Sequence, residues 1–169
     1  MICLLEVFFD YACPYCLKGH RNLIESLPNF PDVEIIWRPC ESHPRPERYG
    51  IHSDLCIQGM FFAKEHGIDL LVYHERMYDL VLHRRVNVEN ADILAKHVED
   101  LLDGKAFLEA LKSGKYKKMQ QKANHYAFGQ SGVWVVPAYR MEGQRLDSIE
   151  DVTITKKQLE TFLQNSICE

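Results

Sequence analysis

Two kinds of pattern divide this chain, and their order limits the folds open to it. From about Asp54 to Ala127 the apolar residues recur only at helical spacing, whereas the segments on either side carry strand patterns. Leu4 to Phe9 is an apolar run broken by one charge, too short for a helix and rich in strand formers. Leu17, Leu23, Ile24 and Leu27 follow at helical spacing, and Pro28 stops that pattern. Val33 to Arg38 reads as a second strand, so the opening unit is strand, helix, strand, which usually places two parallel strands side by side. Beyond Gly129, Val133 to Met141 is strand-like although it contains Pro137, Glu142 to Arg145 reads as a hairpin turn, and Thr155 to Gln158 is a capping box opening a last helix. The order is therefore β-α-β, a helical block of roughly 75 residues, then β-β-α. We expect an α/β fold in which residues 1–50 and 128–169 build one small sheet with helices on its faces. Residues 51–127 would be an all-helical insertion packed over it.

Five helices are expected in the insertion. Asp54 caps the first, and Gly67, Gly104 and Gly114 fall where helices should stop. A fifth helix is expected from Lys115 to about Phe128.

Composition narrows the function. Of 169 residues, 46% are apolar and 26% charged, enough apolar material for a sizeable core. The net charge of −4 does not suggest a nucleic-acid partner, and the patch of Lys115, Lys117, Lys118 and Lys122 reads as a solvated helix face. No run approaches the roughly 18 apolar residues of a membrane span. Met1 runs almost directly into the first strand, with no basic region or small-residue cleavage site, so a cytoplasmic location is expected. A domain of this size does not need a disulfide framework to hold its six cysteines. Cys3 and Cys56 read as small buried hydrophobes and Cys168 as an exposed thiol. Cys40, in a proline-rich loop, has the option of an auxiliary disulfide.

The close pair in Cys13-Pro14-Tyr15-Cys16 then calls for a redox or metal explanation. A thiolate, not a thiol, attacks disulfides. Pro14 is tolerated in the first turn of a helix, which puts Cys13 where unpaired N–H groups and the positive end of the helix dipole favour an anion. Cys16, one turn along, is placed to resolve a mixed disulfide. Cys13 is thus read as the attacking thiol and Cys16 as the resolving one, with Tyr15 setting the local environment. Val136-Pro137 is the second feature, because a proline inside an apolar run belongs at a strand's beginning or edge.

These motifs resemble the thioredoxin superfamily: Phe9-Asp10-Tyr11-Ala12-Cys13-Pro14-Tyr15-Cys16 after a strand, and Val136-Pro137 before the last hairpin. The helical block between the halves resembles the DsbA group. Trp37-Arg38-Pro39 followed by Glu41 to Pro44 resembles its cytoplasmic FrnE-like branch. The resemblance covers nearly the whole chain in order of elements. It implies a thiol–disulfide oxidoreductase whose Pro137 is a cis-proline beside the cysteines, and whose Val136 backbone pairs with an extended substrate segment. The substrate would be a thiol or disulfide on a protein or small molecule, with no resident cofactor or metal. Tyr15 stands where periplasmic DsbA proteins usually have histidine, so a couple less oxidising than about −120 mV is expected. Cys-Pro-Tyr-Cys is also the glutaredoxin sequence, with potentials of roughly −200 to −230 mV, which raises glutathione as a co-substrate.

Two other classes compete. Cys13, Cys16, Cys40 and His43 offer four ligands of the type a structural zinc uses, though the gap between the pairs is long. A glutathione-dependent transferase or isomerase shares the DsbA-like architecture but does not need Cys16. Among lesser candidates, Asp10 or Glu6 is placed to act as a proton acceptor near Cys16, with a wet sheet edge as the alternative for Glu6. His20 lies one turn beyond Cys16.

Overall fold

A computed structural model describes residues 1–168. Strand β1 (Cys3–Phe9) leads into helix α1 (Pro14–Ser26), and strand β2 (Val33–Pro39) returns beside β1. The insertion follows as α2 (Asp54–Glu65), α3 (Leu70–Tyr78), α4 (Ala91–Lys96), α5 (Gly104–Ser113) and α6 (Lys117–Asn124). Strands β3 (Ala138–Met141) and β4 (Gln144–Asp147) and helix α7 (Lys156–Ser166) close the chain. The four strands form one sheet in the order β2-β1-β3-β4, with β1 and β2 parallel and both later pairings antiparallel. The α/β architecture with a helical insertion is thus as expected.

Strand β1 is the centre of the sheet, and its side chains record what covers each face. Cys3, Leu5, Val7 and Phe9 alternate inward and are buried. On the other face Leu4 is exposed and Glu6 half-buried, but Phe8 is fully buried. The ring of Tyr126 stacks on Phe8 at 5.9 Å, so the insertion covers that face only toward the C-terminal end of the strand. That is the end where the chain turns into Cys13. Helices α1 and α7 pack together, tied by the Ser26 hydroxyl donating to Glu160 at 2.9 Å. The expected capping box is present: Gln158 N–H donates to Thr155 Oγ1 and the Gln158 side chain accepts from Thr155 N–H.

Five expectations need correcting. Ser53 rather than Asp54 holds the N-cap position of α2, and Asp54 is its first helical residue. Gly104 opens α5 rather than ending the helix before it, because Asp103 caps α5 through Ala106 N–H at 3.1 Å. The preceding helix is accordingly only Ala91–Lys96. Val133 to Pro137 is not strand; β1 pairs with β3 only from Ala138 onward, and Pro137 has no N–H for a ladder. The helix expected to run to Phe128 ends at Asn124 and continues as a π-helical turn over His125–Gln130. Finally, Cys3 and Cys168 are joined by a disulfide, because the chain after α7 returns to the start of β1 and brings their Cα atoms to 5.7 Å. Gly114, by contrast, ends α5 in the left-handed conformation as expected, with φ 70°.

Candidate active site

The site is built where β1 runs out. Cys13 N–H donates to the Asp10 carbonyl at 3.1 Å, closing a tight turn that delivers Cys13 to the N-cap of α1 in an extended conformation. Pro14 takes the first helical position, where its missing N–H removes nothing the helix needs. The N–H of Cys16, in the first turn, donates to the Cys13 carbonyl at 3.1 Å and also falls on Cys13 Sγ at 3.3 Å. The two sulfurs meet different surroundings. Cys13 is partly exposed, whereas Cys16 is 1% exposed and its Sγ accepts the backbone N–H of Asp10 at 3.5 Å.

Electrostatics follow from that asymmetry. The Cys16 thiol beside it holds Cys13 below the ordinary thiol range, a bias that burial partly opposes and the Cys16 N–H reinforces. Burial, and then the neighbouring Cys13, push Cys16 well above that range. One thiol is prepared to be an anion and accessible; the other is kept neutral and enclosed.

Facing them is the segment before β3. Val136-Pro137 is a cis peptide, and the Cys13 thiol lies 3.7 Å from the Val136 carbonyl oxygen. Ser148 Oγ donates to the Pro137 carbonyl at 2.6 Å, anchoring this segment to the chain after β4. Gly19 is what lets α1 approach so closely. A Cβ there would stand 2.7 Å from the Tyr139 hydroxyl and 3.2 Å from Pro137 Cγ. A hollow of ≈ 320 Å³ opens beside Cys13, lined among others by Tyr15, His43, Phe128, Trp134 and Val136. Trp134 is 90% exposed on its rim.

The structure therefore brings together Cys13, Pro14, Tyr15, Cys16, Val136 and Pro137, while the side chains of the lesser candidates make their hydrogen bonds and ion pairs elsewhere. Glu6 accepts from Arg38 Nε at 2.7 Å and from the Tyr126 hydroxyl, on the half-open face of β1. His20 lies inside, 3.1 Å from Glu75 and among the rings of Trp37, Tyr78 and His74. Cys40 is a free, buried thiol directed at the Phe9 carbonyl, and His43 pairs with Glu47. Among the described residues Cys13, Cys16, Cys40 and His43 do not converge as a ligand set, which removes the geometric basis for a structural zinc there. Asp10 is buried, but its carboxylate faces Ala12, Ser42 and Ser53 rather than Cys16. Sequence reasoning missed Ser42 and Ser53, because ordinary loop serines carry no signal. It also missed Trp134, for which an aromatic residue just before Val136-Pro137 was the available sign.

The order of elements and the paired cysteines invite comparison with known proteins. The model of the DSBA-like thioredoxin domain matches residues 4–163. This chain belongs to that family. Within reach of it is the Bacillus subtilis protein YwbO, itself uncharacterized, which is 26% identical over 80% of this chain and 84% of its own length. Among solved structures, a probable DsbA oxidoreductase from Streptomyces coelicolor superposes with a TM-score of 0.75 at 16% identity, over 96% of this chain and 88% of that one. Pseudomonas aeruginosa DsbA gives 0.67 at 19% identity, over 86% of this chain and 73% of that one. At such identities the structural likeness speaks for the fold of the DSBA-like family. The helical insertion between the two α/β segments is part of that fold.

Proposed function

We propose that this DSBA-like protein is a thiol–disulfide oxidoreductase in which Cys13 attacks and Cys16 resolves. The observation that carries the reading is the unequal pair: an accessible Cys13 at a helix N-cap, held toward the thiolate, beside an enclosed and neutral Cys16. Acting as a reductant, the Cys13 thiolate attacks one sulfur of a substrate disulfide. A Cys13–substrate S–S bond forms, and the departing sulfur leaves as a thiolate that takes up a proton. Cys16 then loses its proton and attacks Cys13 Sγ. The Cys13–Cys16 disulfide forms and the second substrate sulfur is released, so two electrons have passed from protein to substrate. As an oxidant the protein runs the same steps in reverse.

The Val136 carbonyl beside Cys13 and the apolar rim of Tyr15, Phe128 and Trp134 support an extended peptide or a small thiol such as glutathione as the substrate. The reading needs no resident cofactor or metal. Residence in the cytoplasm, with the FrnE-like branch, belongs to the same proposal. Thiol trapping in intact cells tests that part.

The deciding experiment is the redox equilibrium of Cys13 and Cys16 in glutathione buffers, read by alkylation and mass spectrometry. We expect a reversible 13–16 disulfide, and loss of disulfide exchange in Cys13→Ser. Absence of that disulfide in every buffer, or full activity in Cys13→Ser, would overturn the proposal.

A further inference from the structure

Beneath the cysteines lies a buried acid that the exchange steps do not use. Asp10 is 1% exposed. Its Oδ1 accepts from Ala12 N–H at 2.9 Å and from the Ser53 hydroxyl at 2.6 Å, and its Oδ2 accepts from Ser42 N–H at 2.8 Å. All three partners are donors and none is a cation, so both carboxylate oxygens are hydrogen-bonded with no opposite charge among those partners. The partners come from three segments: the turn into α1, the chain after β2, and the residue that precedes α2. One side chain thus pins the cysteine turn to the insertion. The Asp10 backbone N–H meanwhile donates to Cys16 Sγ at 3.5 Å, and Ala12, whose N–H binds the carboxylate, is the neighbour of Cys13, so the acid belongs to the same turn that carries the cysteines.

We propose that Asp10 is a positioning residue whose buried negative charge makes the Cys13–Cys16 couple more reducing. The inference rests on the oxidoreductase reading above. Its physical basis is the difference between the two redox states. The disulfide carries no charge, whereas the reduced pair is stabilised in so far as Cys13 is a thiolate, and a couple with a stabilised reduced form is a strong oxidant. A fixed anion away from water is weakly screened and opposes a second anion nearby. It therefore penalises the reduced state and favours the disulfide. In keeping with this, the Asp10 carboxylate pushes Cys13, Cys16, Cys40 and Cys56 all toward the neutral thiol, although for none of them is it the largest influence.

The test compares variants that remove the charge with one that keeps it. Asp10→Asn and Asp10→Ser retain an acceptor for Ala12 N–H and lose the charge; Ser53→Ala keeps the charge and removes its shortest hydrogen bond. The equilibrium constant for forming the 13–16 disulfide is measured in glutathione buffers on each folded variant. We expect it to fall at least threefold in Asp10→Asn or Asp10→Ser, a tenfold fall corresponding to about 30 mV. Ser53→Ala should leave it unchanged or raise it. A purely structural role predicts that all three variants shift it the same way, or that none does, and either result overturns the proposal. Should neither neutral variant fold, the sign in Ser53→Ala decides: a fall overturns the proposal. If the wild-type protein forms no 13–16 disulfide at all, the oxidoreductase reading falls and this inference with it. If it forms one that the neutral variants leave unshifted, this inference alone falls.

Discussion

Cys13 and Cys16 have the same side chain and sit three positions apart, yet their chemistry diverges through what each sulfur touches. The strongest influence drawing Cys13 toward the thiolate is the Cys16 thiol itself. Replacing that donor with an apolar group, in Cys16→Ala, should therefore raise the pH at which Cys13 becomes reactive toward iodoacetamide, as seen in a pH–rate profile by mass spectrometry. In the wild-type reduced protein Cys13 should label at lower pH than an ordinary cysteine, with the buried thiols of Cys16, Cys40 and Cys56 all labelling after it. Glu41 supplies a second prediction of the same kind. It is 3% exposed, its Oε2 accepts from Gln120 and Asn124, and its Oε1 has no partner among the described residues. Burial raises its pKa above the ordinary value, with Asp54 and Asp10 adding to the effect and Asn124 opposing it. The folded protein thus binds this proton more tightly than the unfolded chain does. Glu41's contribution is fully favourable below the ordinary carboxylate value of about 4.3 and is lost as pH rises through its own raised pKa. Glu41→Gln removes that buried charge and should stabilise the protein at pH 7. Thermal melts across pH should show the gain shrinking toward acid.

Among the elements, two glycines inside helices set how closely the layers approach. Gly59 is in the middle of α2, where a Cβ would run into the Tyr73 hydroxyl and stand 2.7 Å from the Phe107 ring. That Tyr73 hydroxyl is held by the Cys56 carbonyl at 2.7 Å, so it is not free to swing aside. Gly59→Ala should cost about 1–3 kcal/mol through overpacking, against the gain of up to about 1 kcal/mol that alanine brings to an exposed helix; urea titration measures the balance. Gly19 plays the same part in α1 against Pro137 and Tyr139. There Gly19→Ala should slow disulfide exchange as well as lower stability, because Pro137 and Val136 face Cys13. Helical periodicity in the insertion was legible, but the junctions were not. The π-helical turns at Asp79–His83 and His125–Gln130 have the composition of ordinary helix. The turn at His125–Gln130 is what carries the Tyr126 ring onto Phe8.

On the scale of the whole molecule, the Cys3–Cys168 disulfide joins the start of the central strand to the chain beyond the last helix, across a sequence separation of 165. Removing it in a Cys3→Ser/Cys168→Ser variant should lower stability by about 2–5 kcal/mol, the usual cost of losing a native disulfide. The redox equilibrium of Cys13 and Cys16 should stay in place, since the bond lies at the opposite end of β1. Thermal melting and the glutathione titration, run on the same variant, check both halves of that statement.

The sequence by itself determined the order β-α-β, helices, β-β-α, and the helix start at Cys13-Pro14-Tyr15-Cys16. Apolar period, proline and cap residues act over one or two turns of chain, and that is the range a reader of sequence has. It also identified Val136-Pro137, because a proline in an apolar run is conspicuous wherever it folds. Only the tertiary structure decided which groups from distant segments meet. Ser42 and Ser53 find Asp10 across 32 and 43 residues. Cys168, expected as an exposed thiol, finds Cys3 because the chain beyond α7 returns to the start of β1. Such pairings depend on where whole elements come to rest, and burial at that point turns an ordinary acid or thiol into one with a particular charge state.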